Sequence, residues 1–272
     1  MKITKCFHYD SKCYKTAEKS KPIGIVVHST GANNTELKRY VQPSKSDPKY
    51  NDLIKTIGLN KSNNGWNRSV DKAVHYFIGR FANGEVGTVQ ILPEDYCAWG
   101  VGKGKKGSYN YNPTAHIQFE VCEDNLKNKD YFEDCYNEAV SLCADICNRW
   151  NWEATVVVSH KEAHAKGYGS NHGDIDHWLK KFGKTMDDFR KDVDALLHPI
   201  KKPEKFNTYK VKVTATALNV RAGAGTDFKK VGCIKDKGVY TIVEERTGKG
   251  ATMWGKLKSG AGWISLDYCK KV

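Results

Sequence analysis

"VVVSHKEAHAKGYGSNHGDIDHW", residues 156–178, joins a run of valines to a polar loop that collects four histidines and two aspartates. Consecutive β-branched residues bounded by a polar loop read as a short buried strand, which puts His160 at its carboxyl end. "GIVVHST" (24–30) repeats the arrangement, with His28 closing an apolar run. Ligand sites in open α/β sheets gather at such strand ends, so two histidines leaving neighbouring strands would converge. A catalytic zinc takes three protein ligands and keeps a fourth position open. Asp174, Asp176, His172 and His177 all suit the third place chemically. His160 and His164 are four apart, yet Glu162 is out of register for an H-E-x-x-H helix. The strand-like run before His160 also argues against a long helix there, and His164 is expected to face solvent.

Outward from this stretch, further apolar runs rich in Val, Ile and aromatics are "AVHYFIG" (73–79), "EVGTVQIL" (85–92) and "HIQFEVC" (116–122). Between the last of these and 154–159, Tyr131, Cys135, Ala139, Leu142, Ile146 and Trp150 recur every three or four residues, the stripe of one long amphipathic helix. Thr185-Met-Asp-Asp188 is a capping-box pattern ahead of Phe189, Val193 and Leu196, a second helix. Strands alternating with helices predict an α/β sandwich with a mixed central sheet flanked by helices over residues 1–198. "LHPIKKPEKFNT" (197–208) has two prolines, a lysine run and no apolar period, so 199–208 is expected to be a linker. From 209 to 272 short strands bounded by Gly, Asp or Lys turns ("YKVKV", "VYTIV", "MWGKL", "GWISLDY") predict a small all-β barrel.

The chain of 272 residues carries a formal net charge of +13. From Pro199 onward 16 Lys and Arg face 6 Asp and Glu, a net of +10, so the positive charge belongs to the tail. Such a charge suits nucleic acid, an anionic surface or a polyanionic polymer. No helix-turn-helix, zinc-finger or aromatic RNA-binding pattern appears, and no nucleic-acid partner is expected. No stretch reaches the roughly 18 apolar residues of a membrane span, and "MKITKCFHYDSKCYK" lacks a signal-peptide core. The expected product is made in the cytoplasm. Nine cysteines without a C-x-x-C pair read as reduced thiols, mostly small core residues.

The stations "IVVHST", "VHYFIGR", "HIQFEVC" and "VVSHKEAH…GSNHGDIDHW" resemble the zinc-dependent N-acetylmuramoyl-L-alanine amidases of the type-2 family, which includes phage endolysins, autolysin amidase domains and peptidoglycan recognition proteins. The resemblance implies the type-2 amidase fold, zinc as cofactor and peptidoglycan as substrate. It places two zinc ligands on His28 and His160. The third falls on Asp174, fourteen residues after His160, where other branches carry cysteine. It places the catalytic glutamate on Glu120, a transition-state-stabilising residue on His172, and substrate-groove positions on His75 and Trp99.

The tail segment "LNVRAGAG" with "GWISLDY" resembles the bacterial SH3-like cell-wall-binding domain, with "AGAG" in place of its usual serine-glycine-proline turn. Leu218, Val220, Trp263 and Ile264 are expected in its core, while Tyr240, Trp254 and Tyr268 stay open between core and glycan-facing roles. Together the two resemblances imply a modular, phage endolysin-like enzyme that cuts the lactyl amide between N-acetylmuramic acid and L-alanine. It would reach the wall through a holin or on lysis, with anionic wall polymers as further partners of the basic tail. The alternatives are a non-catalytic peptidoglycan-binding protein and a zinc endopeptidase acting on the stem peptide.

Overall fold

The computed structural model describes residues 1–61, 72–199 and 206–272. These divide into two compact units, Met1–Pro199 and Ile200–Val272. Of the linker expected over 199–208, residues 200–205 lie outside the described residues.

The first unit runs β1 (Ile3–Lys5), α1 (Lys12–Thr16), β2 (Ile25–Ser29), α2 (Tyr50–Ile57), β3 (Tyr76–Arg80), β4 (Val86–Gln90), β5 (Ile117–Val121), α3 (Lys129–Trp150), β6 (Val157–Ser159), α4 (His160–Lys166), α5 (Asp176–Lys181) and α6 (Met186–Leu197). One six-stranded mixed sheet forms in the order β1-β4-β3-β5-β2-β6. Only the β3–β4 hairpin is antiparallel; β3, β5, β2 and β6 lie parallel to one another. The hairpin turns at Gly84, whose φ of 86° suits glycine.

Period-two alternation sorts each central strand onto two faces. Ile25 and Val27 of β2, Tyr76 and Ile78 of β3, and Ile117, Phe119 and Val121 of β5 pack against the buried stripe of α3 and against α6. Asn128 starts α3 by accepting the Tyr131 N–H, and Asn151 ends it in a left-handed conformation at φ 55°. The opposite face carries Val26, Phe77, Val89 and Cys122 in smaller clusters. His28, Gln118 and Glu120 share that face, away from α3.

Three local outcomes differ from the sequence expectation. The run 154–159 is half a 3-10 turn (Ala154–Val156) and only half strand. His160 opens a short helix rather than a loop, because the Ser159 hydroxyl accepts the Glu162 N–H while the Glu162 carboxylate accepts the Ser159 N–H. β1, unforeseen, adds a parallel edge strand to β4. Seven of the nine cysteines are buried and none is paired. Among the described residues no helix is long and apolar enough to cross a membrane.

The second unit contains β7 (Tyr209–Val213), β8 (Leu218–Arg221), β9 (Lys230–Ile234), β10 (Val239–Gly248), β11 (Ala251–Leu257), β12 (Trp263–Ser265) and β13 (Cys269–Lys271). They form an antiparallel sheet in the order β13-β7-β10-β11-β12-β8-β9. Val211, Val213, Leu218, Val220, Ile234, Ile242, Leu257 and Ile264 make its core. Of the aromatics left open by sequence, Trp254 is buried and Tyr268 is 54% exposed.

Candidate metal centre

Register brings the two strand-end histidines together. Val27 of β2 pairs with Ser159 of β6, so the next residue on each chain, His28 and His160, leaves the sheet side by side. Their Nδ1 atoms are 3.0 Å apart. Asp174 reaches back between them, with Oδ2 3.1 Å from His28 Nδ1 and Oδ1 3.4 Å from His160 Nδ1. Both histidines are almost wholly buried, and the Asp174 side chain is 14% exposed.

The aspartate is aimed by an unusual backbone. The next residue, Ile175, sits at φ 26°, a left-handed region that costs a β-branched residue about 1–3 kcal/mol. Burial of its side chain and a 3.3 Å hydrogen bond from its N–H to the Ser29 hydroxyl hold it there. Burial alone would raise the Asp174 carboxyl, but hydrogen bonds and charge from His160 and His28 hold it well below the usual carboxylate range. Burial pushes His28 down toward its neutral form, against the pull of Asp174. A neutral imidazole beside a carboxylate is the state in which both act as metal ligands.

These residues fit zinc. Ligand atoms at about 2.0–2.2 Å from a tetrahedral zinc lie about 3.3–3.6 Å from one another; here the two Nδ1 atoms are 3.0 Å apart and each has one Asp174 oxygen beside it, Oδ2 at 3.1 Å from His28 and Oδ1 at 3.4 Å from His160. Two imidazoles and a carboxylate could hold a metal ion, and three protein donors leave a fourth position.

The other sequence candidates are dispersed. His177 turns its Nε2 to the buried Glu123, at 3.1 Å, and its Nδ1 to the Gly173 carbonyl. Asp176 is half-buried, and its Oδ2 has no hydrogen-bond partner among the described residues. His164 is exposed, with Nδ1 3.0 Å from the Gly169 carbonyl oxygen. His172 is exposed beside the cluster, its ring centroid 4.8 Å from that of His160.

Glu120 stands directly opposite His28 in the β2–β5 pair. It is 5% exposed, and its Oε2 has no hydrogen-bond partner among the described residues. Burial first, then the charges of Asp174 and Glu123, push its carboxyl well above the ordinary value. A carboxyl so placed is poised to hold and give up a proton.

The groove expectation for His75 needs correction. Its side chain is 0% exposed, Nδ1 accepts the Gln118 N–H at 2.9 Å, and Nε2 lies 3.0 Å from the Tyr96 carbonyl oxygen. Both ring nitrogens serve backbone groups, as in a satisfied core histidine. Trp99 is half-buried, packed with Cys13, Ala73, Leu92 and Ala98. Sequence reasoning passed over Ser170, whose hydroxyl lies 3.2 Å from His160 Nε2 and 3.0 Å from His172 Nδ1. Nothing in "GSNHGD" separates it from any loop serine. Gln118 was more visible, as a polar residue in an apolar strand two positions before Glu120.

The sequence pattern of the N-acetylmuramoyl-L-alanine amidase family matches residues 18–174, more than half of the chain. The chain belongs to that family. It is accordingly a hydrolase of the amidase class whose family acts on peptidoglycan. No curated protein matches it in sequence. Among solved structures it is similar to the Staphylococcus aureus hydrolase AmiA in complex with its ligand, at 17% identity over 72% of this chain and 83% of that one, with a TM-score of 0.47. It is also similar to the PlyG catalytic domain, at 20% identity over 75% and 99% with a TM-score of 0.46. A mutant endolysin from Bacillus subtilis is 20% identical over 71% and 99%, with a TM-score of 0.43.

Proposed function

We propose that the chain is a zinc-dependent N-acetylmuramoyl-L-alanine amidase that hydrolyses the amide between the lactyl group of N-acetylmuramic acid and L-alanine, with His28, His160 and Asp174 as ligands. The observation that carries the reading is the meeting of these three ligand atoms beside a buried carboxyl, Glu120, on one face of the sheet. Zinc, when bound, supplies Lewis acidity that polarises an amide carbonyl and acidifies a water. Glu120 takes the proton of the attacking water and returns it to the amine of alanine. Its burial supports this role, since a raised carboxyl is a better proton acceptor than an exposed one. His172, exposed with its ring beside that of His160, takes the role of donor to the carbonyl oxygen as charge builds. Trp99 is the remaining groove residue of this reading.

The second unit is read as an SH3-like wall-binding domain. Lys210, Lys212 and Lys270 are exposed on β7 and β13, with Lys212 directly opposite Lys270. Like charges so placed repel and favour a polyanionic partner such as an anionic wall polymer. The test is metal dependence of lysis. A purified wall suspension should clear with the protein, stop clearing when the metal is chelated, and clear again on adding zinc. Undiminished clearing by chelated protein would defeat the reading.

A further inference from the structure

Metal binding through Nδ1 leaves the proton of each histidine on Nε2, and a buried N–H needs an acceptor that also fixes the ring. His160 has one, and His28 faces a candidate. Nε2 of His160 lies 3.2 Å from the Ser170 hydroxyl. Nε2 of His28 and Oε1 of Gln118, whose side chain is close enough to act on the His28 ring, are both buried with no hydrogen-bond partner among the described residues, a donor and an acceptor left for one another.

The orientation of the Gln118 amide follows from its surroundings. Its Nε2 donates to Asn110 Oδ1 at 2.9 Å and to the Tyr109 carbonyl at 3.3 Å, using both protons. The oxygen is therefore the end turned toward His28. Ser170 is equally constrained, since a hydroxyl offers one proton and two lone pairs. Donation to the Val101 carbonyl, at 3.2 Å, leaves the lone pairs for His160 Nε2–H and for Nδ1–H of His172.

One residue ties the two arrangements together. The Val101 N–H donates to Asn110 Oδ1, the same oxygen that holds the Gln118 amide, and its carbonyl accepts from Ser170. Val101 is wholly buried among Val26, Tyr109, Val158 and Ala163. The flanking glycines allow this approach. A Cβ on Gly100 would stand 2.6 Å from Gln118 Oε1, and one on Gly102 would stand 2.7 Å from the Ser170 hydroxyl oxygen. Each glycine of "GVG" (100–102) is thus pressed against one of the two acceptors.

Resting on the metal reading above, we infer that Gln118 and Ser170 are positioning residues that fix the Nε2–H tautomer and ring orientation of His28 and His160, and that the backbone of Val101 holds both in place. Ser170 serves two rings and Gln118 one. Loss of Ser170 therefore disturbs His172 as well as the metal, whereas loss of Gln118 disturbs the metal alone.

The experiment measures zinc affinity, by competition with a chromophoric chelator, for the full chain and for Gln118→Met, Ser170→Ala and Ser170→Thr, with circular dichroism as the check on fold. Long-range proton–nitrogen NMR of the 15N-labelled, zinc-loaded wild type reports the imidazole tautomers independently of any variant. Expected are Nε2–H on both ligands, affinity lower by about 10–100-fold in Gln118→Met and Ser170→Ala, and recovery to within a few-fold in Ser170→Thr. Folded Gln118→Met and Ser170→Ala proteins that bind zinc as tightly as wild type would overturn the inference, as would a wild type with Nδ1–H on either ligand. A wild type that binds no zinc would instead overturn the metal reading and the inference with it.

Discussion

His28 and Glu120 occupy opposite positions in the parallel β2–β5 pair, so the proposed ligand and the proposed base rise from the same face of the sheet. Neither depends on a loop for its position. Glu120 is also a liability to the fold, a nearly buried carboxyl with one unpartnered oxygen. Its folded-state pKa is raised, so the destabilisation it brings appears as pH climbs past the unfolded value near 4.5. Metal-free Glu120→Gln should therefore melt higher than metal-free wild type at pH 8, with the difference closing near pH 4. The same variant should keep zinc and lose lytic activity by about 100-fold or more. Thermal melts at the two pH values, with turbidity assays, check both.

Removing a ligand should act on metal content first. His28→Ala, His160→Ala and Asp174→Ala should each lower bound zinc from about one per chain toward zero. His164→Ala should leave it unchanged, because His164 is exposed and directed at the Gly169 carbonyl. Elemental analysis of the dialysed proteins reads the outcome. Zinc loss on removing His164 and not Asp174 would refute the ligand set.

A second carboxylate tests stability rather than chemistry. Burial alone would raise Glu94, but hydrogen bonds from Arg149, Tyr76 and Trp150 hold its carboxyl below the ordinary value. A lowered pKa contributes stability that is present above the unfolded value and lost as pH falls through the folded one. Arg149→Met should cost about 1–3 kcal/mol at pH 7, less than for a fully buried pair because Arg149 is 42% exposed. Urea titrations at pH 7 and pH 3 should show the cost shrinking in acid.

The two units have separate cores, one around α3 and one of β-strand side chains. Residues 1–199 alone should retain zinc and some lysis. Residues 206–272 should bind purified walls, and more weakly as salt rises from 0.05 to about 0.5 M, where screening shortens the reach of lysine charge. Co-sedimentation over a salt series measures this. Wall binding confined to the first fragment would remove the targeting role from the second.

The amino-acid pattern exposes what depends on periodicity. β2 and β5 are legible as short runs rich in Val, Ile and Phe, buried throughout, and α3 and α6 because their apolar residues recur every three or four positions and face the core. The convergence of His28 and His160 is legible too, since both close a valine run. What the pattern hides is set by single contacts. The helix after Ser159 hangs on one capping box, a signal present in "SHKE" but masked by the strand-like valines before it. The direction of Asp174 depends on the positive φ of Ile175, which a β-branched residue does not announce. His75 resembles a groove residue in sequence and is a core residue in space, because the Gln118 and Tyr96 backbone groups that saturate it lie 43 and 21 residues away.

Identification of the bond cut tests the central claim most directly. Walls digested with the purified protein should gain free amines and no reducing sugar ends, since a metal with one carboxylate suits amide hydrolysis whereas glycosidases use a carboxylate pair. Labelling the new amines should return alanine alone, with glycan strands intact. A labelled residue other than alanine would mean a stem-peptide endopeptidase, new reducing ends would mean a glycosidase, and binding without any new amine would mean a protein that holds peptidoglycan and does not cut it. Each of those three results contradicts the account.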